Sequence, residues 1–212
     1  MMTRKEEIIY ATLELAAESG MKGVSMSQIA DKVGIKAPSL YNHFKSKDEI
    51  IMEMYKVLRE EAQKTGNSEA PDFSKLADKS LEEILILSIS TYMGMVTNKN
   101  MLKFFKVLYS ERPNNPVAAA IIVEETERMI KQSRSMFYGL VVHGKMKNDG
   151  VDVAAMTYSL TIHSLIDYRM DMLTSGKIKS FKEEGSIIPK NILEYVRWFG
   201  HQIGEKNEQK ID

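Results

Sequence analysis

The 212-residue sequence predicts an all-α protein of about nine helices, three or four in a small N-terminal unit and five in a larger C-terminal one. Three observations predict it. Helix starts recur as Ser or Thr followed three residues later by Glu or Gln: Thr3 with Glu6, Ser25 with Gln28, Ser46 with Glu49, and Ser80 with Glu83. Such a pair satisfies backbone N–H groups that a first helical turn leaves free. Behind these starts, apolar residues return every three or four positions. Strand signals are weak, because no run of alternating β-branched residues ends in an Asn-Gly or Asp-Gly turn.

The first helix begins at Thr3 and stops at Gly20, with Ile8, Ala11, Thr12, Leu15 and Ala16 toward the core. The second starts at Ser25, buries Ile29, Ala30 and Val33, and ends at Gly34. The third, Lys36 to His43, carries Pro38 in its first turn, where the missing N–H costs no helical bond. The fourth opens at Ser46 and holds Ile50, Met54, Val57 and Leu58, running to about Lys64. Polar residues 65–72, with glycine and proline among them, mark a junction. The expected domains are therefore residues 1–50, with the fourth helix (47–64) as connector, and residues 65–212.

In the second part a helix runs from Ser80 to near Asn98, and a short one from Met101 to Ser110 halts before Pro113. Pro116 suits a first helical position, and its helix continues to about Gly144. Asp152 is expected to cap a long helix that ends near Ser175 and Gly176. A polar stretch, Lys177 to Ser186, separates it from a last helix between Pro189 and Gly204. The tail, Glu205 to Asp212, is expected to fray.

Composition narrows the function classes. Apolar residues at 43% and charged ones at 27% are ordinary for a globular protein. The absence of cysteine removes disulfides, thiolate catalysis and cysteine metal sites, and fits a cytoplasmic protein. The charged start, Arg4 to Glu7, predicts no secretory leader. The longest nearly apolar run, Ile84 to Val96, is 13 residues, short of the roughly 20 a bilayer demands, so no membrane insertion is expected. His163 and Asp167, four apart, lack a third ligand at metal-binding spacing and read as a helix hydrogen bond. No nucleophile–base set and no phosphate-cradling glycine loop is found. The reading is no enzyme, no metal and no cofactor.

Net charge is zero, yet residues 22–47 contain five lysines (22, 32, 36, 45 and 47) against one acid, Asp31, for a local +4. Two short helices around Gly34 have the form of a helix-turn-helix, whose second helix presents its first residues to a major groove. With Leu40 and Phe44 turned inward, Lys36, Ala37, Ser39, Tyr41, Asn42 and His43 stay outward or at the rim. They offer hydrogen-bonding groups to base edges and phosphates. Ser25 and Lys47 each sit at a helix start, where backbone N–H groups and the dipole attract a phosphate. A double-stranded DNA operator is the expected partner.

Residues 33–49 (VGIKAPSLYNHFKSKDE), preceded by Thr3–Gly20 and by Met26-Ser-Gln-Ile-Ala, resemble the DNA-binding domain of the TetR family of bacterial transcriptional regulators. The resemblance covers about a quarter of the chain. It implies that Tyr41 and Lys47 hold phosphates with help from Ser25, and that Lys36, Ala37, Ser39, Asn42 and His43 face the groove. One departure is visible: Ala16 stands where the family usually has phenylalanine, and Met21 or Met26 is expected to fill the gap.

The resemblance further implies a helical ligand-binding and dimerisation domain and a repressor released from a pseudo-palindromic operator by a small, largely apolar effector. Tyr92, Tyr138, Tyr158 and His163 are the expected polar points of that ligand site, and Met93, Phe105 and Met129 its apolar lining. The helices within Ala154–Leu173 and Ile192–Ile203 carry apolar faces, and the resemblance implies that they pair two copies into a homodimer. An apolar-ligand binding or sensing protein that no longer binds DNA is the alternative left open by the zero net charge.

Overall fold

The computed structural model describes residues 2–65, 78–182 and 185–204, with side chains described throughout except at 61–65. The described residues form nine α-helices and no named strand. They are α1 (Arg4–Ser19), α2 (Met26–Val33), α3 (Ala37–Tyr41), α4 (Lys47–Thr65), α5 (Leu81–Val96), α6 (Lys99–Glu111), α7 (Pro116–Val142), α8 (Val151–Thr174) and α9 (Lys190–Ile203). A 3₁₀ turn, Met21–Gly23, joins α1 to α2.

Three of the four expected caps close in both directions: Thr3 with Glu6, Ser25 with Gln28, and Ser80 with Glu83. The fourth is half of one. Ser46 Oγ accepts from Glu49 N–H at 3.1 Å, but the Glu49 carboxylate accepts from Lys45 N–H at 2.6 Å. Asp152 is not the cap of α8. Gly150, at φ 61°, holds that position without a side-chain bond, and Asp152 reaches Arg134 at 2.8 Å instead. A left-handed backbone there suits glycine, which has no Cβ to clash.

The chain divides into two compact units that are not continuous in sequence. The first is Met1–Gly66 with Met95–Glu125, and the second is Asn67–Gly94 with Thr126–Asp212. A boundary at residue 65 would assign Met95–Glu125 to the second domain. Its place in the first has a packing reason: Met101, Phe104 and Leu108 line one face of α6 at helical spacing. They join Ile8 and Leu13 of α1 and Met54 and Leu58 of α4 in one core. Each such buried side chain contributes roughly 1.5–3 kcal/mol. Ala16 and Met21 are both buried in this core, and Met26 packs against it half-buried, so methionines do stand beside the small Ala16.

In the second unit an aromatic cluster spans three helices. Tyr158 of α8 lies 5.6 Å from Phe137 of α7 and 5.0 Å from Phe199 of α9, ring centre to ring centre. Arg197 of α9 pairs with Glu82 of α5 at 3.0 Å. Buried Arg169 donates to the Phe181 carbonyl and stacks on the Phe181 ring, which fastens the segment after α8.

Candidate nucleic-acid interface

The reading segment is built around one left-handed residue. Gly34 ends α2 at φ 73°, ψ 34°, and its N–H reaches Ala30 and Asp31 carbonyls. Ile35 N–H also returns to the Ala30 carbonyl at 2.9 Å, which closes the end of α2 and turns the chain. Lys36 then leads into α3 in an extended conformation, and Pro38 fits the first turn.

α3 is shorter than the sequence predicts, covering Ala37–Tyr41 rather than reaching His43. The reason is the anchor that follows. Phe44 is 1% exposed in the core beside Leu40, and the backbone before it closes in a tight turn, with His43 N–H on the Leu40 carbonyl at 2.9 Å. This leaves Tyr41 outward at 53% exposure. Lys36, Ser39 and Asn42 are exposed with it, while Ala37 and His43 sit half-buried at the rim. The six residues expected outward or at the rim therefore share one short stretch of backbone.

Ser25 and Lys47 stand at helix starts as expected, and both are engaged with the protein itself. Ser25 is exposed at the start of α2, but its hydroxyl is engaged with Gln28 in the cap. Lys47 opens α4 half-buried, with its ammonium on the carbonyls of Met21 and Val24, each at 2.9 Å. Lys32 is drawn away from the reading edge into an ion pair with Glu14 of α1 at 3.0 Å. The Lys32 hydrogen bond and charge, in that order, lower the Glu14 carboxyl below its ordinary pKa.

Lys5 is an addition that the sequence did not disclose. Its ammonium lies 5.5 Å from the centre of the Phe44 ring, which brings a cation from the first turn of α1 beside the residues following α3. A separation of 39 positions leaves no local signal for such a contact.

The expected effector-site residues are only partly gathered. In the second unit Met93, Met129 and Tyr158 are buried, Tyr92 is half-buried, and His163 Nδ1 lies 3.3 Å from Thr126 Oγ1. Two residues do not join them. Phe105 belongs to the core of the first unit, between Phe104 and Tyr109. Tyr138 is 45% exposed, because it points off α7 on the side opposite Met136, Phe137 and Leu140. The Tyr158 hydroxyl is buried without a hydrogen-bond partner among the described residues. Burial, then the neighbouring Tyr195, pushes its phenol well above the ordinary range. A buried hydroxyl pair, Ser159 to Ser133 at 3.0 Å, lies one residue along α8.

Residues 8–54, which contain this whole edge except Lys5, match the family described as bacterial regulatory proteins, tetR family. The HTH-type transcriptional repressor KstR2 of Mycolicibacterium smegmatis is 36% identical over 52 residues, which are 24% of this chain and 25% of that protein. The class C tetracycline repressor protein of Escherichia coli is 39% identical over 44 residues, 21% of this chain and 20% of that one. The chain thus spans about a quarter of the length of the curated relatives it matches. A crystal structure from Mesorhizobium loti, described as a TetR-family transcriptional regulator, shares the fold over 96% of this chain and all of its own. The TM-score is 0.72 at 20% identity. Residues 8–54 thus carry the sequence of the tetR family of bacterial regulatory proteins, and along the rest of the chain the likeness is one of fold.

Proposed function

We propose that the protein is a DNA-binding transcriptional regulator, a repressor that leaves a pseudo-palindromic operator when a small, largely apolar effector occupies the second unit. The observation that carries this reading is the pairing of a fully buried Leu40 and Phe44 with an exposed Tyr41 between them. Burial on one side fixes the backbone, and the other side is left with Lys36, Ser39, Tyr41, Asn42 and His43 for a groove. Tyr41 serves a phosphate, and Asn42 offers the two-pronged amide that matches adenine.

Two copies act together, since one reading helix covers only a half-site. Met93, Met129, Tyr158 and His163 are the residues proposed to meet the effector. Relatives named as repressors support the sign of the regulation.

The test is fluorescence anisotropy with the duplex upstream of the protein's own gene, titrated at several salt concentrations. Tight binding whose logarithm falls linearly with the logarithm of salt is expected. Binding no stronger than to a scrambled duplex would refute the reading and favour a ligand-binding protein without a DNA role.

A further inference from the structure

We infer that Arg59 and Glu125 form a positioning pair, which fixes α4 against α7 in one register and so limits the half-site spacings that two paired edges accept. This rests on the DNA-binding reading above. Within the first unit the Glu125 carboxylate is gripped at both oxygens from α4. Arg59 Nη1 donates to Oε1 at 2.9 Å, and the Tyr55 hydroxyl, one turn earlier, donates to Oε2 at 3.1 Å. Tyr55, Arg59 and Glu125 are all buried.

Stability alone does not account for a charge pair here. The same core holds Met54 and Leu58 of α4 and Phe104 and Leu108 of α6, where apolar side chains suffice. Arg59 Nε is buried without a hydrogen-bond partner among the described residues, so part of its desolvation is left uncompensated. What the pair supplies instead is direction. Apolar contacts tolerate sliding, whereas a hydrogen bond weakens steeply off its line. A slide of α4 by one residue would break both bonds to Glu125 at once.

A second tie gives the two helices a common sense. At the start of α7, Asn115 Oδ1 accepts from Val117 N–H at 2.9 Å, and the Asn115 amide donates to Asp48 Oδ1 at 3.2 Å in the first turn of α4. From Asp48 to Arg59 α4 advances about 16 Å, and from Asn115 to Glu125 α7 advances about 15 Å. The helices therefore run the same way with matched spans. The Asp48 end is exposed and competes with water, so the buried end holds the register. The reading edge runs straight into α4 and shares its core through Leu40 and Phe44. α7 continues past Glu125 as one unbroken helix. Freedom of α4 along α7 thus becomes freedom in where each edge stands.

The experiment compares the full-length protein with Arg59→Met/Glu125→Leu and with Tyr55→Phe. Affinity is read by anisotropy on the duplex upstream of the protein's own gene. It is read again with one base pair added or removed at the centre of symmetry. The unaltered protein should discriminate against both altered duplexes. In the double variant that discrimination should shrink by at least about threefold, a scale ordinary for residues that couple two sites. Urea unfolding should stay near its original midpoint, and the slope against salt should not change, because no phosphate contact is touched. Tyr55→Phe keeps the ion pair, loses one bond and should shift the discrimination the same way by less.

An equal loss on all three duplexes, unchanged discrimination in a stable double variant, or no spacing preference in the unaltered protein would overturn the inference. If the double variant does not fold, Tyr55→Phe decides by the same ratio. Should the unaltered protein bind none of the duplexes, the DNA-binding reading falls instead. Hydrogen exchange over residues 47–60 of the free protein then decides whether the pair holds α4. Faster exchange in the double variant upholds it, and unchanged exchange refutes it.

Discussion

Arg59 of α4 donates to the Glu125 carboxylate of α7 at 2.9 Å, and the two side chains are only 9% and 1% exposed. The Tyr55 hydroxyl lies 3.1 Å from the other carboxylate oxygen, and Arg59 also reaches Met95 Sδ at 3.1 Å. A buried pair of this kind contributes little net stability over an apolar pair of the same volume, but half of it is costly. Glu125→Ala or Arg59→Met alone should destabilise the protein by about 3–5 kcal/mol in urea unfolding. The double variant Arg59→Met/Glu125→Leu should recover most of that loss. A double variant whose loss equals the sum of the two single losses would show that the charges act independently.

Tyr158 supplies an alkaline prediction. Its hydroxyl is buried without a partner among the described residues, and its folded-state pKa lies well above the ordinary 10.0. The folded protein therefore keeps a proton that the unfolded chain gives up. The stability tied to this group is whole below pH 10 and drains away as pH rises above it. The slope is about 1.4 kcal/mol per pH unit for this one proton. Tyr158→Phe should remove that share of the slope between pH 10 and 11.5. It should also raise stability at neutral pH by roughly 1 kcal/mol, because an unsatisfied buried hydroxyl is lost. An unchanged alkaline slope would contradict the burial of this phenol.

Gly34 is the one turn residue of the reading segment whose backbone excludes other side chains. Nothing lies within 4 Å of where its Cβ would stand, yet φ is +73°. Strain therefore comes from the backbone alone. Gly34→Ala should cost about 1–2 kcal/mol in thermal or urea unfolding, and operator affinity should fall with it. No loss of stability would mean that the turn relaxes to another conformation.

What the sequence could disclose follows from the range of the interaction. Capping pairs, the Gly34 turn and the inward step from Leu40 to Phe44 are local, and each was legible from spacing. The early end of α3 was not, because Phe44 alone fits either a longer helix or a bend. The bridge from Lys47 to Met21 and Val24 joins residues more than twenty positions apart, and no periodicity encodes it. The same holds for α6, whose apolar face reads alike whichever unit receives it. Phe105 and Tyr138 stand apart from the other expected pocket residues for a related reason: composition names aromatic side chains but not the direction in which they leave the helix.

The second unit leaves apolar side chains uncovered on one face of α8. Val153, Met156 and Leu160 recur at helical spacing with exposures of 62%, 45% and 45%, and Trp198 of α9 is 58% exposed. A face of this kind on an isolated chain marks an interaction surface, and two helices from each of two copies can supply the roughly 800 Å² per partner that a stable dimer needs. A charge placed there would be buried without a counter-ion. Leu160→Glu combined with Trp198→Glu should therefore shift sedimentation from dimer to monomer while circular dichroism keeps its helical signal. Operator affinity should collapse in the same variant, because each copy then holds only a half-site. A dimer that survives both substitutions would place the contact elsewhere on the chain.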